Sequence, residues 1–259
     1  MQTRAGGVLN GNSTDMRDRL TELEREPVRG ADGAGAMLYK PSGSGKPRPD
    51  AFDPATWAAR GAIVGQALGR GTTWILQEHG RRLVLRHYRR GGFIARFCAD
   101  RYLWQGEAAT RPFRELHLLQ HLHAAGLPVP EPVAARYVRD GLTYRGDILT
   151  VFLAGTESFA RRLQDERMLA ADWQAVGRCL RRFHDAGACH ADLNAHNVLF
   201  DTAGTVFVID FDRGRLRAPG LWRDSNLVRL RRSIEKIGDK AGRVFDEAAW
   251  RLLLQAYRG

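Results

Sequence analysis

The sequence predicts an α+β fold of two lobes, β-rich in the first half and mainly helical in the second. Three observations carry this. Strand signals dominate residues 62–138, helical spacing of apolar residues dominates the tail, and no internal repeat divides the chain. Strands followed by helices, rather than alternating with them, argue for an α+β arrangement.

The elements follow in order. Residues 1–50 are rich in Gly, Ser, Pro and charge and show no sustained periodicity, so they are read as mostly flexible. Residues 1–35 are set aside as a flexible segment, 36–153 as the first lobe and 154–259 as the second. Within the Pro41 to Asp50 stretch, Gly43-Ser44-Gly45-Lys46-Pro47 invites a phosphate-loop reading. That reading fails because Lys40 stands where the first glycine is required and Pro47 where the hydroxyl is required. Thr72 to Leu76 and Arg82 to Leu85 flank the turn signal Glu78-His79-Gly80, which predicts two antiparallel strands. Phe113, Leu116, Leu119 and Leu122 predict an amphipathic helix over 110–125, ended by Gly126 and Pro128-Val129-Pro130. Ile148 to Leu153 reads as a strand that leads through Gly155 into the connection between the lobes.

Beyond that connection, Trp173, Val176, Leu180 and Phe183 mark a helix closed by Gly187. Val198 to Phe200 and Val206 to Ile209 form a hairpin around Thr202-Ala203-Gly204. Leu227 to Ile237 and Val244 to Tyr257 close the chain as helices. Chemistry is expected between the lobes.

Composition narrows the function classes. At 259 residues, 44% hydrophobic and 27% charged, the chain can bury a core and is not disordered. Its longest uncharged apolar run, Ile148 to Thr156, is too short to span a bilayer, and the N-terminus lacks the apolar region of a secretory signal, so the expected location is cytoplasmic. Cys98, Cys179 and Cys189 lack CxxC spacing, so neither a zinc site nor a disulfide framework is indicated. The net charge of +11, carried mostly by arginine, suits phosphate, nucleic acid or anionic lipid, and suits a solvated arginine-rich surface equally well.

The stretch that carries chemistry is His190-Ala191-Asp192-Leu193-Asn194-Ala195-His196-Asn197, followed by Val206 to Ile209 and Asp210-Phe211-Asp212. Phosphoryl transfer needs a carboxylate to orient or deprotonate the attacking hydroxyl and oxygen ligands to hold Mg²⁺ against nucleotide phosphates. Asp192 can be the base, with Asn197 and Asp210 as metal ligands.

HxDxxxxN followed by Asp210-Phe211-Asp212 resembles the catalytic loop and metal-binding segment of the protein-kinase-like superfamily. The resemblance implies a nucleotide-binding first lobe. Gly69 and Gly71 are similar to the glycine-rich loop that lets backbone amides approach the phosphates. Arg86, in Val84-Leu85-Arg86, stands where that superfamily has a lysine, and Glu115 resembles the glutamate that pairs with this cation. His190 resembles the residue that begins the catalytic loop and shapes it by hydrogen bonding, whereas His184 and His196 are read as structural.

The chain lacks an APE segment and a long activation loop after Asp212. It is sharply similar to the lipopolysaccharide-core kinase family, in particular its 3-deoxy-D-manno-octulosonic acid (Kdo) kinases. The likeness covers about residues 36–256 and rests on Gly69 to Trp74, Leu85 to Gly92, His190 to Leu199 and Asp210 to Gly214. It implies ATP and Mg²⁺ as cofactors and phosphorylation of the 4-hydroxyl of Kdo on a lipid A precursor. It also implies peripheral contact with the cytoplasmic face of the inner membrane, with Arg89, Arg90, Arg213, Arg215 and Arg217 as candidates for acceptor or membrane contact. Heptose, protein or antibiotic kinases remain alternatives, as does a catalytically inactive basic module that binds nucleic acid or membrane.

Overall fold

The computed structural model describes residues 23–30, 33–41, 46–48, 50–67, 73–90 and 100–259. Among them an eight-stranded antiparallel sheet dominates the first half. Its main path runs β1(Glu24–Gly30), β2(Gly33–Tyr39), β7(Pro132–Asp140), β8(Thr143–Val151), β5(Arg81–His87), β4(Thr73–Glu78) and β3(Ile63–Ala67). The short β6(Tyr102–Leu103) also pairs with β8. The predicted hairpin around His79-Gly80 is present as β4 and β5, in register from Thr73 with Arg86 to Glu78 with Arg81.

The reading of the first fifty residues as mostly flexible is corrected for 24–30 and 33–39. Residues 24–30 and 33–39 pair with each other, and β2 continues onto β7. These strands are hard to read because β1, Glu-Arg-Glu-Pro-Val-Arg-Gly, has no apolar alternation. It lies at the edge of the sheet, where pairing is by backbone and both side-chain faces can be polar.

Strand alternation splits the apolar residues between two faces. Met37, Tyr39, Leu83, Leu85 and Leu149 face a small core closed by α1(Pro54–Ala59), whose Trp57 is buried and donates its indole N–H to the Ala51 carbonyl at 2.8 Å. Ala36, Leu38, Ala135 and Ile148 face the main core, which α2(Arg111–Ala124) enters through Phe113, Leu116, Leu119 and Leu122. Because Leu83 and Leu85 turn toward α1, Arg86 turns toward α2. The alternation of one strand thus selects which face carries the cation.

The second half holds α3(Phe159–Gln164), α4(Ala170–Asp185), α5(Trp222–Lys240) and α6(Glu247–Arg258). Two small sheets accompany them, β12(Val206–Val208) with β11(Val198–Phe200) and β9(Glu157–Ser158), and β10(Ala188–Cys189) with β13(Arg215–Leu216). The predicted helices and hairpin are all present. Helices α4 and α6 pack so closely that a Cβ on Gly177 would lie 2.2 Å from the Leu253 carbonyl oxygen. The main core runs without a break from the sheet side of α2 through Phe159, Phe183, Val208 and Phe211 to Leu253. The facing edges of the two halves are thereby held in one packed unit.

Candidate active site

At the end of β5, Arg86 meets Glu115 from α2. Arg86 Nη2 lies 2.5 Å from Oε1 and 2.6 Å from Oε2 of Glu115, and its Nη1 donates to Asp210 Oδ1. Tyr88 donates its hydroxyl to Glu115 Oε2 at 2.5 Å, and the Arg86 guanidinium lies 4.9 Å from the Tyr88 ring centre. Glu115 is only 3% exposed. Burial pushes its carboxyl above the usual carboxylate range, with the Arg86 guanidinium pulling the other way. Burial also works against the Arg86 charge, but Glu115, Tyr88 and Asp210 outweigh it and keep the guanidinium protonated. These partners make Arg86 and Glu115 something other than solvated surface residues.

The loop from His190 to Asn197 is built by its own polar groups. His190 Nδ1 accepts from the Asp192 amide at 3.1 Å while its Nε2 donates to the Ile209 carbonyl at 2.9 Å. These partners define one neutral tautomer, and burial lowers the imidazole pKa to match. Asn194 and Asn197 both donate side-chain N–H groups to the Asp192 carbonyl, at 2.9 and 3.0 Å. From α5, Asn226 accepts from His190 N at 3.2 Å and donates to His190 O at 2.9 Å, and Ser233 Oγ accepts from Ala195 N at 3.1 Å. The apolar Leu193 and Ala195 are buried beneath, which leaves the Asp192 carboxylate about half exposed.

Asp210 follows β12 with φ +64°, a left-handed conformation that Asp tolerates better than most residues. Phe211 anchors it, stacked 5.8 Å from Phe183 and 4.7 Å from His190 between ring centres. Burial alone would raise the Asp210 pKa, but Arg86 leads the groups that bring it below the usual value. Asp212 accepts from Arg111 at 3.0 Å, so the first residue of α2 is tied to the same segment.

Asn197 and Asp210 are joined through the backbone, because Ile209 N donates to the Asn197 carbonyl at 3.0 Å. The Asn197 amide nitrogen is engaged with Asp192, which leaves its Oδ1 as the side-chain atom that could serve a cation. Among the described residues no cluster of three or more His, Cys, Asp or Glu exists to cage a metal. Two hard oxygen donors, an amide oxygen and a carboxylate, fit Mg²⁺ that would take its remaining ligands from phosphates and water.

The structure thus brings Arg86, Glu115, Asp192, Asn197 and Asp210 around one region. Gly69 and Gly71 lie outside the described residues. Of the arginines expected at an acceptor or membrane surface, Arg89, Arg213, Arg215 and Arg217 are exposed. Arg90 differs. It donates to the Arg101 carbonyl at 2.7 Å and covers the Tyr102 ring at 5.0 Å, so it is engaged within the fold. Sequence reasoning missed Asn226, Arg111 and Arg229, whose Nη1 lies 3.7 Å from Asp192 Oδ1. Tyr88 lay within the stretch that signalled the site. The others carry no signal, because each is one polar residue on a helix and its partner lies in a separate element of the chain.

Residues 54–257 match the lipopolysaccharide kinase (Kdo/WaaP) family. The chain is 44% identical over 227 residues to a 3-deoxy-D-manno-octulosonic acid kinase of Stenotrophomonas maltophilia, covering 86% of this chain and 87% of the relative. It is 42% identical over 246 residues to the enzyme of that name from Xanthomonas campestris pv. campestris, covering 95% and 96%. To the one from Photobacterium profundum it is 40% identical over 206 residues, covering 80% and 87%. A β-rich lobe that presents a cation–carboxylate pair to a helical lobe with the HxDxxxxN loop is the protein-kinase-like plan, and the chain belongs to the lipopolysaccharide kinase (Kdo/WaaP) family.

Proposed function

We propose that the protein transfers the γ-phosphoryl group of ATP to the 4-hydroxyl of Kdo in a Kdo-bearing lipid A precursor, as a step in making the lipopolysaccharide core. The observation that carries the proposal is the convergence of Arg86 and Glu115 from the first half with Asp192, Asn197 and Asp210 from the second. Family membership supplies the kinase class, and the relatives' names supply the sugar.

In this reading the boundary between the lobes falls at about residues 153 and 154, and ATP binds between them. Gly69 and Gly71 bring backbone amides to the phosphates, and Arg86, braced by Glu115, presents a fixed positive charge. Asn197 and Asp210 hold Mg²⁺, which neutralises phosphate charge when bound. Asp192 accepts the hydroxyl proton as the sugar oxygen forms its bond to the γ-phosphorus and the bond to ADP breaks. His190, neutral and doubly bonded, holds the backbone of Asp192 and takes no proton in the reaction.

Among the described residues no helix is long and apolar enough to cross a membrane. The acceptor is lipidated and anionic, and the exposed Arg89, Arg213, Arg215 and Arg217 suit peripheral contact with the cytoplasmic face of an anionic inner membrane.

The test is to incubate purified protein with MgATP and a Kdo-bearing lipid A precursor and to follow the acceptor by mass spectrometry, with Asp192→Ala alongside. A gain of one phosphate that Asp192→Ala abolishes, with the variant still folded, is the expected result. ATP turnover only on a heptosylated core would reassign the acceptor. Binding of nucleic acid or lipid with no ATP turnover would overturn the kinase reading.

A further inference from the structure

Helix α5 serves the catalytic loop along one face. Asn226 clamps His190 and Ser233 caps Ala195. Arg229, between them on the same helix, reaches Asp192, with 3.7 Å from its Nη1 to Asp192 Oδ1. The first two contacts are hydrogen bonds of 2.9–3.2 Å to backbone. The third is a loose ion pair between side chains that are 52% and 49% exposed, and such a pair adds little to stability. Arg229 also lies close enough to His190 to help keep that imidazole neutral. Its placement therefore calls for a reason other than holding the fold.

We propose that Arg229 binds the carboxylate of the acceptor sugar and is a specificity-determining residue for acidic sugars. This rests on the acceptor reading given above. The sugar in the relatives' names is an ulosonic acid, so it carries a carboxylate at neutral pH. Bringing that anion beside the Asp192 carboxylate sets two like charges together, which opposes binding unless a cation lies between them. Among the described residues Arg229 is the cation that pairs with Asp192. A planar guanidinium with five donors can keep one edge on Asp192 and offer another to the incoming carboxylate, whereas a point charge serves one partner well. Arg229 comes from α5, and Arg86 from β5 is occupied with Glu115 and Asp210. The two arginines thereby divide the work, Arg86 on the nucleotide and Arg229 on the acceptor.

The experiment compares a Kdo-bearing lipid A precursor with the same molecule whose sugar carboxylate has been converted to a primary amide. Wild-type protein, Arg229→Gln and Arg229→Lys are assayed with each. Wild type is expected to lose about 10- to 100-fold in kcat/KM on the amide, mostly through acceptor KM, the range of one charge-assisted hydrogen bond. Arg229→Gln should lose a similar factor on the acid and little more on the amide, with KM for ATP unchanged and the melting curve intact. Arg229→Lys should recover part of the loss on the acid alone. If Arg229→Gln discriminates acid from amide as strongly as wild type does, the carboxylate is read elsewhere and the proposal falls. If Arg229→Gln lowers kcat equally on both acceptors with acceptor KM unchanged, Arg229 only positions Asp192 and the proposal falls likewise. Failure of wild type to phosphorylate the acid form would instead refute the acceptor reading, and this proposal with it.

Discussion

Arg86 Nη2 sits between the two carboxylate oxygens of Glu115, at 2.5 and 2.6 Å, while Nη1 of the same guanidinium holds Asp210. One side chain from β5 therefore links α2 to the segment that follows β12. A lysine has a single nitrogen to divide between the two carboxylates, whereas the guanidinium reaches both with separate nitrogens.

Under the proposed reaction Arg86→Ala is expected to lower kcat/KM for ATP by at least about 100-fold, because it would remove the fixed charge offered to the phosphates. It also leaves Glu115 buried without its cation, a loss of about 3 kcal/mol at the low end for a broken buried pair, since Arg86 itself is 24% exposed. Arg86→Lys should keep most of the stability and only part of the activity. Steady-state kinetics and urea unfolding separate the two effects. An Arg86→Ala protein as stable and active as wild type would show that the triad has no role.

Asn226 is 5% exposed and satisfies both the amide and the carbonyl of His190. Asn226→Ala strands those groups and should destabilise the protein by about 1–3 kcal/mol. Turnover should also fall, because the loop that carries Asp192 loses its anchor. The expected signature is lower kcat with little change in KM for ATP.

Gly177 has no room for a side chain, since a Cβ would approach the Leu253 carbonyl to 2.2 Å. Gly177→Ala must therefore push α4 and α6 apart. The expected cost is about 1–3 kcal/mol or more, the range for overpacking. Activity per folded molecule should change little, because α4 reaches the site only through Phe183, which packs behind Phe211, and neither helix supplies a polar side chain there. A thermal melt read beside initial rates tests both halves of this statement.

His184 is 1% exposed, its Nδ1 lies 2.7 Å from the Tyr257 hydroxyl, and burial lowers its pKa to about 4. The unfolded chain takes up this proton near the ordinary value of 6.5, so between pH 6.5 and about 4 the unfolded state binds more protons than the folded one. Stability should consequently fall as pH drops through that window, by roughly 3 kcal/mol from this group at full titration. His184→Gln, which cannot titrate, should flatten the slope of urea-unfolding free energy against pH across that window. An unchanged slope would place the acid sensitivity elsewhere.

Much of the fold was legible because the periodicities are clean. The helix over 110–125, the helix closed by Gly187 and the hairpin around Thr202-Ala203-Gly204 need only local spacing and turn chemistry. The β1 and β2 strands were not legible, since β1 is polar and its place depends on pairing along the edge of a sheet formed by residues far along the chain. In the site, Asp192, Asn197 and Asp210 stand out because their spacing brackets one hairpin. Arg86 and Glu115 were assigned by resemblance, and their contact became visible only with β5 and α2 in place.

The sequence by itself determined the order of the elements, the HxDxxxxN loop with its following acid, and the arginine-rich chemistry of the chain, because these depend on local pattern and composition. Tertiary structure alone decided that Arg86 spans Glu115 and Asp210, that Asn226 and Ser233 hold the loop from His190 to Asn197, and that Arg229, among so many arginines, is the one beside Asp192. Each of these is a meeting of residues from separate elements. Long-range packing chooses such partners, and the charge and spacing of the individual residues do not encode the choice.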